Sequence, residues 1–131
     1  MPLTSDTDFE QAPDRSYTVG FQHTASLASG ATWVSRLDYN YQGSFWRADP
    51  YRRVNGYEAV PDGFDESGDW GILNVRFTYE PADGNWAASF FGTNLTNEYM
   101  INSGIFHGVW GFDFATVSRP REAGASLTFR F

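Results

Sequence analysis

The sequence predicts an all-β fold: an antiparallel up-and-down meander of about five long strands, forming an open fragment of a transmembrane β-barrel. Three observations predict it. Segments alternate apolar and polar residues with period two, the signature of a strand with one greasy and one polar face. The connections between those segments run short, long, short, long, as they do where turns lie on one side of a membrane and loops on the other. Aromatic residues make up 18% of the 131 residues (Phe 12, Tyr 7, Trp 5), more rings than one small soluble core readily buries and suited to aromatic girdles at two interfaces.

Residues 1–14 are polar, with Asp6, Asp8, Glu10, Pro13 and Asp14, and read as a loop remnant. The first strand spans 15–27, with Tyr17, Val19, Phe21, Ala25 and Leu27 against Thr18, Gly20, Gln22, Thr24 and Ser26. Ala28-Ser29-Gly30-Ala31 is a tight turn. The second strand, 32–46, sets Trp33, Leu37, Tyr39, Tyr41 and Phe45 against Arg36, Asp38, Asn40 and Gln42. Charges in mid-strand suit a watery lumen better than an apolar core. Residues 47–68 form a long polar loop. In the third strand, 69–80, Leu73, Val75, Phe77 and Tyr79 oppose Asn74, Arg76 and Thr78. Pro81-Ala82-Asp83-Gly84-Asn85 carries an Asp-Gly hairpin signal. The fourth strand, 86–95, has its parity blurred by Phe90-Phe91. Residues 96–118 read as a second long loop. The fifth strand, 119–131, puts Ala123, Ala125, Leu127, Phe129 and Phe131 on one side and Gly124, Ser126, Thr128 and Arg130 on the other. Strands of about 10 to 15 residues are long enough for the ~9–11 needed to cross a bilayer at a tilt.

Composition narrows the function classes. No run of roughly 18 apolar residues exists, which excludes a transmembrane helix; a mean hydropathy of −0.44 is compatible with strands that are apolar only at alternate positions. The absence of cysteine excludes disulfides and thiolate metal sites. A net charge of −7, with no basic stripe, argues against nucleic acid. The N-terminus lacks the basic and apolar regions of a signal peptide, so the chain is expected to be mature or incomplete.

Two motifs carry a resemblance. Gly92-Thr93-Asn94-Leu95-Thr96-Asn97-Glu98-Tyr99 resembles the NLT-(D/N)-x-x-Y signature near the end of TonB-dependent outer-membrane receptors. Gly111 to Glu122, with Arg119-Pro120-Arg121 followed by an alternating run to a terminal Phe131, resembles the stretch leading into their last strand. The likeness covers most of residues 15–131. It implies the C-terminal portion of a receptor barrel of about 22 strands, without the N-terminal plug domain, in a Gram-negative outer membrane. Such receptors import siderophores, cobalamin, carbohydrates or similar solutes with energy passed on by TonB through the plug. The implied partners are outer-membrane lipid, the rest of the barrel and the plug, and the barrel-assembly machinery through the C-terminal strand. Five strands without a plug are expected not to transport alone, since the smallest such barrels need ~8 strands.

No catalytic constellation is found: there is no nucleophile elbow and no phosphate-binding glycine loop, so an enzyme and a cofactor are not expected. Asp62, Asp65, Glu66 and Asp69 read as a solvated loop, because their spacing does not match a calcium loop. His23 and His107 are too isolated for zinc. Arg36, Asp38, Arg76, Glu122 and Arg130 are expected on the polar faces, lining a lumen with cross-strand pairs. Leu37, Tyr39, Tyr41, Val75, Phe77, Leu127 and Phe129 should share the opposite face, with Trp33, Tyr79 and Phe131 along the short-turn edge. The loops also hold Trp46, Tyr51, Tyr57, Phe64, Tyr99, Phe106 and Trp110, able to contact a solute or each other. Two other readings stay open. One is a small soluble antiparallel barrel with its apolar face inward around an apolar ligand. The other is a peptide with no independent function, aggregating through its open edges.

Overall fold

A computed structural model describes residues 11–47, 66–107 and 112–131, and only the backbone of 104–107 and 113. It is all-β, with nine strands among the described residues. β1 is Ser16–Ser26, β2 Thr32–Gln42, β3 Phe45–Trp46, β4 Glu66–Ser67, β5 Trp70–Glu80, β6 Trp86–Thr93, β7 Ile101–His107, β8 Phe112–Val117 and β9 Glu122–Phe129. The chain divides into two units. One, made of Tyr17–Tyr41, Gly71–Glu98 and Arg119–Phe131, is an open five-stranded antiparallel sheet in the order β1-β2-β5-β6-β9. This is the meander expected from the sequence, with β1 and β9 at its edges.

Local chemistry sets where the long strands stop. β2 ends at Gln42, short of the expected residue 46, because Gly43 turns the chain where the Arg15 backbone closes in: the Gly43 N–H donates to the Arg15 carbonyl at 2.8 Å, and a Cβ at Gly43 would lie 3.2 Å from that oxygen. β6 ends at Thr93 because Asn94 adopts φ 50°, outside the strand region. β9 starts at Glu122 rather than 119; Pro120 has no N–H for a ladder. Past its last residue the pairing continues, with Arg130 N–H bonded to the Asn85 carbonyl at 2.8 Å.

Both short connections are tight turns closed by a glycine with positive φ. Gly30 (φ 83°) donates its N–H to Leu27 O at 2.9 Å, and Gly84 (φ 65°) to Pro81 O at 3.0 Å. Only glycine takes such angles without strain. At Gly30 the space is also closed, since a Cβ there would sit 3.0 Å from Ala82 Cβ in the neighbouring turn. Gly30→Ala is therefore expected to destabilise the sheet by about 1–2 kcal/mol, and Gly68→Ala, where nothing lies within 4 Å, by far less. Urea unfolding of both variants checks this.

The second unit takes in the described parts of Met1–Ser16, Gln42–Trp70 and Tyr99–Ser118. It corrects the reading of both long connections as plain loops. β3 pairs with β4 (Phe45↔Ser67, Trp46↔Glu66). β7 pairs with β8 in an antiparallel hairpin, with a register shift between Ile101 and Ser103 and a Ser103–Thr116 hydroxyl bond of 2.8 Å. The β-branched and aromatic residues of these stretches favour strands, and their short length hid the period. Asp62, Asp65, Tyr51, Tyr57, Phe64, Trp110 and the side chains of Phe106 and His107 lie outside the described residues.

Candidate functional site

The five-stranded sheet offers two contrasting faces. The register sets Phe77 opposite Phe90, Tyr79 opposite Ala88, Ala88 opposite Leu127 and Trp86 opposite Phe129. Trp33 stacks on Phe77 (6.0 Å between centroids) and Tyr17 on Tyr41 (5.0 Å), which brings β1 and β2 into the same surface. Leu37, Tyr39, Tyr41, Val75, Phe77, Leu127 and Phe129 thus share one face, as expected. Val19, Phe21, Phe90, Leu127 and Phe129 are each 57–61% exposed, and Ala31 is the one fully buried apolar side chain among the described residues. A chain that leaves this much contiguous apolar surface open presents it to something else.

The apolar face has aromatic borders. Beside the short turns lie Trp33, Phe77, Tyr79, Trp86 and Phe129, with Tyr79 and Trp86 rings 5.6 Å apart. Trp33 and Tyr79 fall in this row as expected; Trp86, hidden by the blurred parity of its strand, joins them. The sequence reading had no counterpart for the opposite border, where Tyr17 meets Tyr39 (6.4 Å) and Tyr41 (5.0 Å). Tyr41 lies eight positions along β2 from Trp33, a path of about 26 Å at ~3.3 Å per residue. His23 shares the parity of Val19 and Phe21 on this face.

The polar face carries small and hydrogen-bonding residues. Thr18 donates to Asn40 Oδ1 at 2.9 Å, and the Thr78 and Ser89 hydroxyls bond at 2.9 Å. Arg36, Asp38, Arg76 and Arg130 lie on this face in three different settings. Arg36 grips Asp38 two residues along the same strand, through Nε (2.8 Å) and Nη2 (3.1 Å). Arg130 reaches across to Glu80 Oε1 at 2.8 Å, and its Nη1 also donates to the Gly84 carbonyl at 2.8 Å, tying the end of β9 to the β5–β6 turn. Arg76 instead lies over the Phe91 ring, 5.2 Å from its centroid. Phe91 is therefore the polar-face half of the Phe90-Phe91 pair, and its ring covers Gly124 on β9.

The two sequence motifs meet at one corner. Asn94, 5% exposed, spends its whole side chain there. Its Oδ1 accepts the Glu98 N–H at 2.9 Å and the Thr96 hydroxyl at 3.5 Å. Its Nδ2 donates to the Glu98 carbonyl at 2.8 Å and to the Arg119 carbonyl at 3.0 Å. Only one orientation of the amide places a donor toward both carbonyls. The corner is also stitched to β5: Asn94 N–H donates to Asn74 Oδ1 at 3.0 Å, Leu95 N–H to Leu73 O at 2.8 Å, and Leu73 N–H to the Thr96 hydroxyl at 3.4 Å. Leu95 folds onto Gly92, where a Cβ would lie 2.7 Å from its Cδ2. Asn97 (φ 58°) accepts the Arg121 N–H at 3.4 Å. Asn94, Leu95 and Thr96 thus hold the chain as it enters β9 through Arg119, Pro120 and Arg121. Tyr99 takes no part in this cluster and is 75% exposed; Phe131 is exposed beyond the end of β9.

Among the described residues, no three His, Cys, Asp or Glu side chains converge on one point. No known protein family, curated protein or solved structure matches this chain. The functional reading therefore rests on the two faces, their aromatic borders and the Asn94 corner.

Proposed function

We propose that this chain is a C-terminal part of the barrel wall of a TonB-dependent outer-membrane receptor, a transport-class protein rather than an enzyme. The carrying observation is the open apolar face bounded by two aromatic rows about 26 Å apart along β2 at ~3.3 Å per residue. Tilted by ~35–45°, that path rises about 20 Å, close to the ~25 Å lipid-facing band of outer-membrane barrels. Aromatic rings at both borders suit the headgroup level, where one end of the ring is apolar and the other wet. The receptor assignment is narrower and draws on the two motifs, which converge at the Asn94 corner on the entry to the last strand. In this reading the polar face lines the lumen, the short turns are periplasmic and the long connections extracellular. The import of a siderophore, cobalamin, carbohydrate or similar solute belongs to a complete receptor with its plug, not to five strands.

Lipid quenching tests the membrane reading. In variants keeping only Trp33 or only Trp86, fluorescence in vesicles is expected to be quenched by bromines carried near the headgroup and far less by bromines near the bilayer centre. A monodisperse monomer in plain buffer whose tryptophans no brominated lipid quenches would favour the soluble barrel around an apolar ligand. The receptor assignment is tested on the gene. Reading upstream of residue 1 is expected to find further alternating strands and a plug; unrelated sequence there would overturn it.

A further inference from the structure

The apolar face carries a polar cluster between β1 and β2. Contacts across these strands fix how they align. Thr18 bonds to Asn40, Leu27 N–H to Ala31 O, and a Cβ at Gly20 would lie 3.2 Å from Asp38 Oδ1. Each pair is spaced evenly about the same turn, which sets His23 opposite Ser35. Both share the parity of Phe21 and Leu37, on the apolar face. Ser35 also receives the Trp33 indole N–H at 2.8 Å. The stack of Trp33 on Phe77 places Val75 next in the row, where the face is apolar again.

The cluster has more donors than acceptors. Trp33 fills an acceptor position on Ser35 and leaves the hydroxyl hydrogen to donate. The His23 ring is exposed, and a neutral imidazole has one N–H to give. Among the described residues, neither donor has an acceptor. Opposed side chains start from Cβ atoms about 5 Å apart, so the two donors stand side by side. In hydrocarbon such groups are costly unless they are satisfied. Phe21, Leu37 and Val75 around them supply no side-chain acceptor, so the acceptors must come from what meets the face.

Depth indicates what that is. Ser35 lies two positions along β2 from Trp33, about 7 Å at ~3.3 Å per residue. At a tilt of ~35–45° that is about 5 Å further into the bilayer than the aromatic border, at the boundary between headgroups and acyl chains. The ester linkages of a diacyl lipid lie at this boundary. Their two carbonyls sit on neighbouring glycerol carbons, accept hydrogen bonds and donate none.

We infer that His23 and Ser35 form a seat for the ester linkages of a diacyl glycerophospholipid. The Ser35 hydroxyl donates to one carbonyl and the His23 N–H to the other, while the acyl chains run over Phe21, Leu37 and Val75. The inference rests on the membrane reading above and adds to it a fixed lipid position.

The test uses the full chain folded in dodecylphosphocholine micelles, whose detergent has no ester. The micelles are titrated with dihexanoylphosphatidylcholine or with its diether counterpart, dihexylphosphatidylcholine, and the tryptophan indole N–H groups are followed by NMR. Trp33 is the reporter, because a donating Ser35 hydroxyl strengthens the bond that Trp33 makes to it. The diester is expected to move the Trp33 signal saturably, and the diether to bind at least about fivefold more weakly, as the loss of a hydrogen bond implies. Trp86, at the same border beside Tyr79, should respond alike to both lipids. His23→Phe leaves the Trp33–Ser35 bond in place; it should weaken the diester about fivefold and leave the diether unchanged. Equal affinities for the two lipids at Trp33, or an unchanged diester affinity in His23→Phe, would overturn the seat, while a response at Trp86 would leave the membrane reading standing. If neither indole responds to either lipid and brominated lipid quenches neither, the membrane reading fails and the seat falls with it.

Discussion

Asn94→Asp should cost about 3 kcal/mol or more of stability, the largest loss expected from any change this small. The two side chains have the same shape, so packing is preserved. What changes is the donor: the Asn94 amide gives its two hydrogens to the Glu98 and Arg119 carbonyls, and a carboxylate has none to give. It would set negative charge against two carbonyl oxygens in a site only 5% exposed, where unpaired charge is costly. Asn94→Ala avoids the charge but leaves those carbonyls and the Glu98 N–H without their partner, and holds alanine at φ 50°, which costs about 1 kcal/mol by itself. Asn94→Gly removes that backbone strain. The expected order of loss is Asp, then Ala, then Gly, read from urea unfolding in micelles. Amide exchange at Glu98 and Glu122 should quicken in the same order, because the corner fixes the start of β9. An Asp variant as stable as the parent would mean that the amide does not donate as described.

That corner shows what could and could not be read in advance. Period two along residues 15–27, 69–80 and 119–131 follows from having one face in water and one out of it, so the five strands, their order and their faces were legible. Gly30 and Gly84 marked the turns because few other residues take a positive φ. The Asn94 cluster was visible only as a likeness between two short motifs. Its geometry joins residues 25 positions apart through one side chain, and no local pattern encodes that. Arg76 was legible as a polar-face residue, and the Arg36–Asp38 pair follows from their i, i+2 spacing on one strand, but Glu80 meets Arg130 across the sheet, and that no carboxylate among the described residues pairs with Arg76 is likewise a property of the sheet. Phe91 was obscured because an aromatic residue on a polar face breaks the rule that otherwise locates strands. The hairpin β7–β8 was missed because strands of seven and six residues, one with a register shift, do not hold alternation long enough to register.

Leu37→Arg should carry the largest penalty on the apolar face, about 2–4 kcal/mol when the chain is in a bilayer. Leu37 stands midway along β2 between the Trp33 border and Tyr41. On a lipid-facing strand the cost of a charge depends on depth: greatest at the midplane, falling to about 0–1 kcal/mol at the interface, where the guanidinium reaches headgroups and water. Tyr17→Arg, at the opposite border from the turns, should therefore cost little beyond its stack on Tyr41. Thr128→Arg, on the polar face, should cost less still, since that face stays in water when the apolar face meets lipid. Unfolding in vesicles of these three variants separates the environments. If the apolar face instead closed on an interior ligand, charge at Leu37 and charge at Phe21 or Val75 would be comparably harmful, with no gradient toward the tyrosine border. A loss that declines from Leu37 to Tyr17, and shrinks further when vesicles of shorter-chain lipid bring the headgroups nearer, is the signature expected of a face that meets a bilayer.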